Sequence, residues 1–250
     1  MLNHGHIKPE EIWISRGERT GRTMELVPIA EKLGIPVLYK DRHTLDHILP
    51  GIAHQGIVAL SREFHYMDLD NLITAIKKSD KNGLLIAADH ITDEGNLGAV
   101  IRSSAFFGVQ GLIIPKDRSA TITRNVMKRS SGAYVHLPVA RVVNLSRALD
   151  TLNKNGFWII GASGDGDETL YNYDWRGDIL LVLGSEDRGI SKGVRKRCHR
   201  LIRIPSSGNI GALNVSVACG IILSEIVRQR TLQIPAISSR GSFQKPVSSD

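Results

Sequence analysis

From residue 84 onward, short apolar runs alternate with stretches of helical period. LLIAAD at 84–89, GLIIP at 111–115, FWIIGAS at 157–163, ILLVLG at 179–184 and LIRIP at 201–205 are almost wholly apolar. Such runs, bounded by turn residues, are the pattern of strands buried on both faces. Between them the spacing predicts helices over 96–107, 120–130 and 145–155, a short basic helix over 192–198, and a longer one over 213–230. Asn96 is positioned to cap the first of these, and Gly108 and Gly156 stop the first and third. Residues 133–141 read as extended. Strands alternating with helices predict an α/β fold: a mostly parallel sheet with helices on both faces.

Before residue 84 the pattern is shorter and more polar. It predicts strands over 12–15, 35–40 and 56–62 and helices over 24–33, 43–48 and 70–78, a small α/β unit of its own. The polar, glycine-ended SDKNG at 79–83 marks the boundary. The expected division is a small domain over 1–76, a linker over 77–83, a larger domain over 84–234 and a disordered Ser- and Pro-rich tail over 235–250.

Composition narrows the class. The chain has 250 residues, 42% hydrophobic and 23% charged, which suits a globular protein with a sizeable core. No apolar run approaches the ~20 residues that span a bilayer, and the N-terminus lacks a signal-peptide pattern. Cys198 and Cys219 have neither metal-ligand nor redox-pair spacing, and six of the nine His fall in residues 1–75 in no ligand spacing. No metal site is expected, and a reduced, cytoplasmic setting is. The net charge of +7 is uneven: residues 1–75 carry 8 Lys+Arg against 10 Asp+Glu, and the remainder 24 against 15. A basic C-terminal part points to a polyanionic partner or to a solvated basic face.

The strand-end loops carry the candidate chemistry. GASGDGD at 161–167 is glycine-rich, but the aromatic, acidic ETLYNYDW that follows has no helical period, which argues against a dinucleotide fingerprint. A solvent turn or the lip of a cofactor site remains, with Ala162 at its start. DEGNLGAVIRSSAFFG at 93–108 places Arg102 in an otherwise apolar helix, either snorkelling or placed for use. LGSEDRGI at 183–190 sets Glu186 between Gly184 and Gly189, where glycines allow a tight turn or a ligand close to the backbone. KGVRKRCHRLIR at 192–203 suits phosphate contacts or a solvated face. IPSSGNIGALNVSVACG at 204–220 leads through a flexible loop to Asn214, at a helix start whose free N–H groups can meet an anion.

Together these stretches resemble the SpoU/TrmH family of RNA ribose 2′-O-methyltransferases, within the SPOUT superfamily. The family's N-x-G-x-x-x-R is matched by Asn96, Gly98 and Arg102. Its strand followed by G-x-E-x-x-G is matched by Gly184, Glu186 and Gly189. Its I-P, then a Gly-containing loop and S-L-N-V-S-V-A, is matched by Ile204, Pro205 and residues 213–218. Each motif is weak alone; three in this order are specific. GHIKPEEIWIS and AHQGIVAL resemble the small RNA-binding domain of the 23S ribosomal RNA guanosine methyltransferase branch, here lacking its first strand and most of its first helix. The chain departs from the pattern at Ala212, where the family has Ser, at Ser206, where it has Met, and at Asp187, where Gly is more usual.

The resemblance implies a C-terminal trefoil knot and transfer of a methyl group from S-adenosylmethionine to a ribose 2′-hydroxyl. The substrate it implies is a guanosine of 23S ribosomal RNA. Transfer RNA as substrate, or a catalytically weak RNA-binding assembly protein, is the alternative. By the same resemblance Gly184, Ile204 and Leu213 hold the adenosyl part through backbone groups, with Ala162 and Gly189 beside them. The resemblance gives Arg102 the activation of the 2′-hydroxyl; because a guanidinium keeps its proton in proteins, Arg102 is read here as orienting the hydroxyl or an adjacent phosphate, with Asn96, Glu186 and Asn214 holding Arg102 and the loops in place. Arg124, Lys128, Arg129, Lys196 and Arg197 meet RNA phosphates. Two copies pair through the last helix, on the apolar stripe of Val217, Ala218, Ile221, Ile222 and Ile226.

Overall fold

The computed structural model describes residues 9–17, 21–51, 53–60, 64–209 and 211–232, the side chains of Arg22 and Leu232 excepted. The expectations for the first eight residues, for the end of the 56–62 strand and for the 235–250 tail lie outside these. The chain divides into two units between Tyr66 and Met67.

In the first unit β1 (Glu11–Ser15) is the middle strand. It is followed by α1 (Gly21–Lys32), β2 (Val37–Lys40), α2 (Arg42–Ile48) and β3 (Ile57–Leu60). β2 runs parallel to β1 and β3 antiparallel. Ile12 and Ile14, two apart on β1 and so on one face, meet Ala30 and Ile35 in a small core. α1 starts earlier than the spacing predicts and leaves Met24 69% exposed. The turn before β3 is built on His54, whose ring accepts from the Gly56 N–H at 3.1 Å and meets the Asp46 carboxylate at 2.8 Å.

The second unit opens with α3 (Leu69–Lys77), capped by the Asp68 side chain. Leu72, Ile73 and Ile76 on its inner face join the main core with Leu85, Ala87, Ile113, Leu149 and Phe157. The helix therefore belongs here, and the division falls ahead of it rather than at residues 77–83. A polar stretch after a helix marks the helix's end, not which core its apolar face has joined.

The remaining elements are β4 (Leu84–Asp89), α4 (Glu94–Phe106), β5 (Gly111–Pro115), α5 (Arg124–Arg129), β6 (Val139–Val142), α6 (Leu145–Lys154), β7 (Trp158–Ala162), β8 (Glu168–Thr169), β9 (Ile179–Gly184), α7 (Lys192–Arg195), β10 (Arg200–Arg203) and α8 (Val215–Leu232). The strands form a seven-stranded sheet in the order β6-β5-β4-β9-β7-β10-β8, and every pairing is parallel. β4 and β9, the most continuously apolar, lie side by side inside the sheet and are buried along almost their whole length.

Several boundaries move for identifiable reasons. Asp93, not Asn96, caps α4: its carboxylate accepts from the Asn96 N–H at 2.7 Å. α5 is confined to one and a half turns because the Ala120 N–H is drawn to the Ile91 carbonyl at 2.8 Å, and Thr123 becomes the cap. Residues 133–136, expected extended, make a 3₁₀ turn. α7 stops at Arg195, and β10 ends at Arg203, so Ile204 and Pro205 stand in the loop. The aromatic, acidic stretch after residue 167, which shows no helical period, supplies both an edge strand and core. β8 adds an edge strand, and Trp175 is fully buried with its indole N–H on the Leu170 carbonyl at 2.7 Å. Gln229 of α8 accepts from the Trp175 backbone N–H at 3.2 Å and donates to the Tyr173 carbonyl at 3.1 Å. Among the described residues no helix is long and apolar enough to cross a membrane.

Truncating Leu72 to Ala removes a fully buried side chain from the main core. The expected loss is about 2–5 kcal/mol of stability, read as a lowered urea midpoint at unchanged slope.

Candidate active site

The site forms where β9 ends. Beyond Gly184 the chain makes a tight loop: the Gly189 N–H donates to the Ser185 carbonyl at 2.8 Å, and Gly189 takes a left-handed φ of 62°. The returning limb lies flat on the strand's end. A Cβ at Gly184 would sit 2.2 Å from the Gly189 carbonyl carbon, so no side chain fits there. The limb is anchored by Asp89, fully buried at the end of β4. One carboxylate oxygen accepts from the Ser191 N–H at 2.6 Å and the other meets the His90 ring at 2.5 Å.

The loop carries Glu186 to the starts of two helices. Its Oε1 accepts from the Asn96 amide at 2.8 Å and from the Asn214 amide at 2.5 Å. Asn214 also donates to Asn96 Oδ1 at 2.9 Å, closing a triangle. The other end of Asn214 caps α8: its Oδ1 accepts from the backbone N–H of Ser216 at 2.9 Å. Three residues from three distant segments therefore meet, as the motif order suggests.

Arg102 does not join them. It lies six residues after Asn96 on α4, one and two-thirds turns, and so faces a different direction. Its Nη1 donates to Ser131 Oγ at 3.1 Å, just past α5. Of the two tasks expected of Asn96, Glu186 and Asn214, holding Arg102 and holding the loops, their hydrogen bonds serve the loops, and the Arg102 side chain has a separate partner in Ser131. Nothing in the sequence pattern singled out Ser131, which falls between the helix expected over 120–130 and the extended stretch expected over 133–141.

Beside the triangle lies a cavity of about 460 Å³, within the range of small-molecule sites. All five residues expected at the adenosyl part line it: Ala162, Gly184, Gly189, Ile204 and Leu213. Missed were Ser163 and Gly164, on the loop after β7, and Leu183, Ile202 and Ile222, which supply apolar wall. Apolar side chains over backbone edges suit a flat heteroaromatic group that needs a slot and a few backbone hydrogen bonds.

The basic residues divide. Arg124, Lys128 and Arg129 are exposed on α5, and Lys196 is exposed after α7. Arg197 is occupied: its Nε donates to Asp150 at 2.8 Å and its Nη1 to the Gly193 carbonyl at 2.9 Å. Arg195 pairs with Asp165 through two bonds at 3.1 and 2.9 Å. Together with the Ser163 hydroxyl, this guanidinium holds the Asp165 carboxyl down at about 2. Arg203 donates to the Gly166 carbonyl at 2.6 Å. Two residues of the basic run, Arg195 and Arg203, therefore brace the loop after β7, which density of charge alone does not reveal. Burial pushes the Cys198 thiol up to about 11 and the Cys219 thiol up to about 12, so both stay protonated and unreactive at neutral pH.

Residues 83–224 match the model of the SpoU rRNA Methylase family, and residues 2–67 the model described as RNA 2′-O ribose methyltransferase substrate binding. The chain is 38% identical over 231 residues to the 23S rRNA (guanosine-2′-O-)-methyltransferase RlmB of Pseudomonas aeruginosa, covering 92% of this chain and 93% of that protein. It is 39% identical over 226 residues to the protein of the same name from Coxiella burnetii, covering 90% of each. Among solved structures, the SpoU methyltransferase AviRb of Streptomyces viridochromogenes, in complex with AdoMet, superposes with a TM-score of 0.76 at 24% identity. That match covers 91% of this chain and 85% of the other and shows the shared fold.

Gly98 is where α4 and α5 touch. A Cβ there would lie 2.5 Å from the Arg129 Cβ and 3.2 Å from the Ser130 nitrogen. Gly98→Ala is expected to push the two helices apart at a cost of about 1–3 kcal/mol, seen as a lowered melting temperature in circular dichroism.

Proposed function

The chain belongs to the SpoU rRNA methylase family, and we propose that it methylates the ribose 2′-hydroxyl of a guanosine in 23S ribosomal RNA, taking the methyl group from S-adenosylmethionine. The observation that carries this reading is the meeting of Asn96, Glu186 and Asn214 at the side of a glycine-walled cavity, Asn96 lying on the helix that also bears Arg102. The RlmB relatives, aligned over nine-tenths of their length, support ribosomal RNA as the substrate.

The residues present fit the cofactor. Gly184, Gly189 and Gly164 keep the cavity walls at backbone height, and Ile204, Leu213 and Ile222 offer an apolar face to an adenine. When bound there, S-adenosylmethionine supplies an electrophilic methyl group on a sulfonium. Glu186, tied to both asparagines, keeps the cavity from opening on the side of α4 and α8. Arg102 is exposed, with donors to spare beyond its bond to Ser131. It orients the 2′-hydroxyl or an adjoining phosphate through its fixed fork of N–H groups. It is not the base, since a guanidinium does not give up its proton in proteins. Positioning of this kind supplies a large share of the rate in a displacement that needs in-line approach.

Arg124, Lys128, Arg129 and Lys196 face solvent and neutralise phosphates; Arg197, held by Asp150, contributes charge but has fewer free donors. Residues 2–67 select the RNA. Two copies pair through α8, whose Val217 is 49% exposed while Ile222 and Ile226 of the expected stripe pack inward. The trefoil threading belongs to the same reading, supported by a strand order that sets β9 between β4 and β7 and then β10 between β7 and β8. With ribosomal RNA as substrate, the chain works in the cytoplasm.

Incubation with tritiated S-adenosylmethionine and separate ribosomal and transfer RNA pools tests the reading. Label is expected in 23S RNA; label confined to transfer RNA, or none, would refute it. Arg102→Ala is expected to bind the cofactor as tightly as the wild type in calorimetry yet transfer methyl at least about 100-fold more slowly, and near-normal turnover would remove Arg102 from its role. RNA affinity should fall by roughly 10-fold or more between 50 and 200 mM salt, as release of several counterions requires; a flat filter-binding curve would count against a phosphate track.

A further inference from the structure

Three positions one helical turn apart on α4 dock onto α5. Glu94, Gly98 and Arg102 follow at intervals of four and so share a face. Glu94 accepts from the Thr123 hydroxyl at 2.8 Å and from the Asn125 amide at 2.7 Å, holding the start of α5. Gly98 lets the last turn of α5 lie against α4, with Arg129 and Ser130 where a side chain would otherwise stand. Arg102 then meets Ser131, the first residue beyond that turn.

Ser131 reaches Arg102 only by an unfavourable backbone conformation. Its φ is 51°, in the left-handed region that a non-glycine residue seldom occupies, and Gly132 follows at 84°. The turn is held on both sides. Ser130 is fully buried with its hydroxyl on the Met127 carbonyl at 2.9 Å, and the Ser131 N–H donates to the Lys128 carbonyl at 3.0 Å. A non-glycine residue kept in this region by its surroundings, with its side chain on a functional group, is where strain commonly serves function. Among the described residues, Ser131 is the one hydrogen-bond acceptor recorded for the Arg102 side chain.

We propose that Ser131 is a positioning residue for methyl transfer: its hydroxyl oxygen fixes the Arg102 guanidinium in the pose that meets the ribose. An arginine side chain free to turn spends little time in one orientation. A single acceptor on one Nη leaves the remaining N–H groups of the fork aimed outward together. The hydroxyl stands just past the end of α5, the helix that carries Arg124, Lys128 and Arg129, so phosphate-binding charge and the orienting group lie on one continuous stretch of chain. The proposal rests on the role of Arg102 given above.

The test uses two substitutions that separate hydroxyl from backbone. Ser131→Gly removes the acceptor while relaxing the left-handed φ. Ser131→Asn tolerates that φ and restores an oxygen acceptor. With 23S RNA and tritiated cofactor, Ser131→Gly is expected to keep its melting temperature, its KM for RNA and its cofactor Kd, and to lose about 10-fold in kcat, the scale of one charge-assisted hydrogen bond. Ser131→Asn is expected to recover most of that loss. A Ser131→Gly kcat within twofold of wild type, a loss appearing in KM instead, or a loss that Asn does not restore would overturn the proposal. Arg102→Ala in the same series separates the two levels. Arg102→Ala inactive beside a fully active Ser131→Gly refutes the part given to Ser131 alone. A wild-type chain without turnover on any RNA pool refutes the reading beneath it, and this proposal with it.

Discussion

A single carboxylate oxygen, Oε1 of Glu186, takes two amide donors at the point where three segments far apart in sequence converge. Hydrogen bonds to a charged acceptor contribute about 1.5–3 kcal/mol each when shielded, and less at an exposed position such as this. Their weight here is geometric. Asn96 sits 90 residues before Glu186 and Asn214 sits 28 after it, so the contact sets where α4 begins, how the loop after β9 folds and where α8 begins. Those placements form the edge of the cavity and fix the helix on which Arg102 is carried.

The contact depends in turn on backbone approaching backbone. Glu186 can reach both asparagines only because the loop doubles back flat on the end of β9, and that needs Gly184 bare of a side chain. Buried Asp89 secures the far limb through the Ser191 N–H. Gly98 does the corresponding work between α4 and α5. The motif glycines are therefore not flexible points: two of them mark places where other atoms occupy the space of a Cβ. Phosphate charge, orienting arginine and cofactor cavity are placed by packing of this kind, and the hydrogen bonds then choose among the few arrangements it leaves.

Much of the candidate site was legible because motif residues sit at ends of elements. The end of β9 follows from an apolar run meeting Gly184, and Asn214 was expected at the start of the last helix, which in the structure begins one residue after it. The five residues expected around the adenosyl group all line one cavity. Less legible were residues whose role comes from a partner distant in sequence. Ser131 falls between two expected elements and gains its role only from Arg102, and Arg195, Arg197 and Arg203 read as a free basic run until Asp165, Asp150 and the Gly166 carbonyl are found beneath them. The ETLYNYDW stretch lacked a helical period and received no element, yet Trp175 is core, with Gln229 of α8 accepting from its backbone.

By itself the sequence determined the class of fold, the number and kind of the main elements, and the residues whose identities define the family. Those are local matters: periodicity decides helix against strand, and Gly, Pro and cap residues decide where each element stops. The tertiary structure alone decided that α3 belongs to the second core, that Asp93 rather than Asn96 caps α4, and that Arg102 is served by Ser131 and not by the Glu186 triangle. Each is a choice between partners that are all chemically acceptable. Such choices are settled by which surfaces the packed sheet brings within about 3 Å of one another, and no local pattern carries that distance.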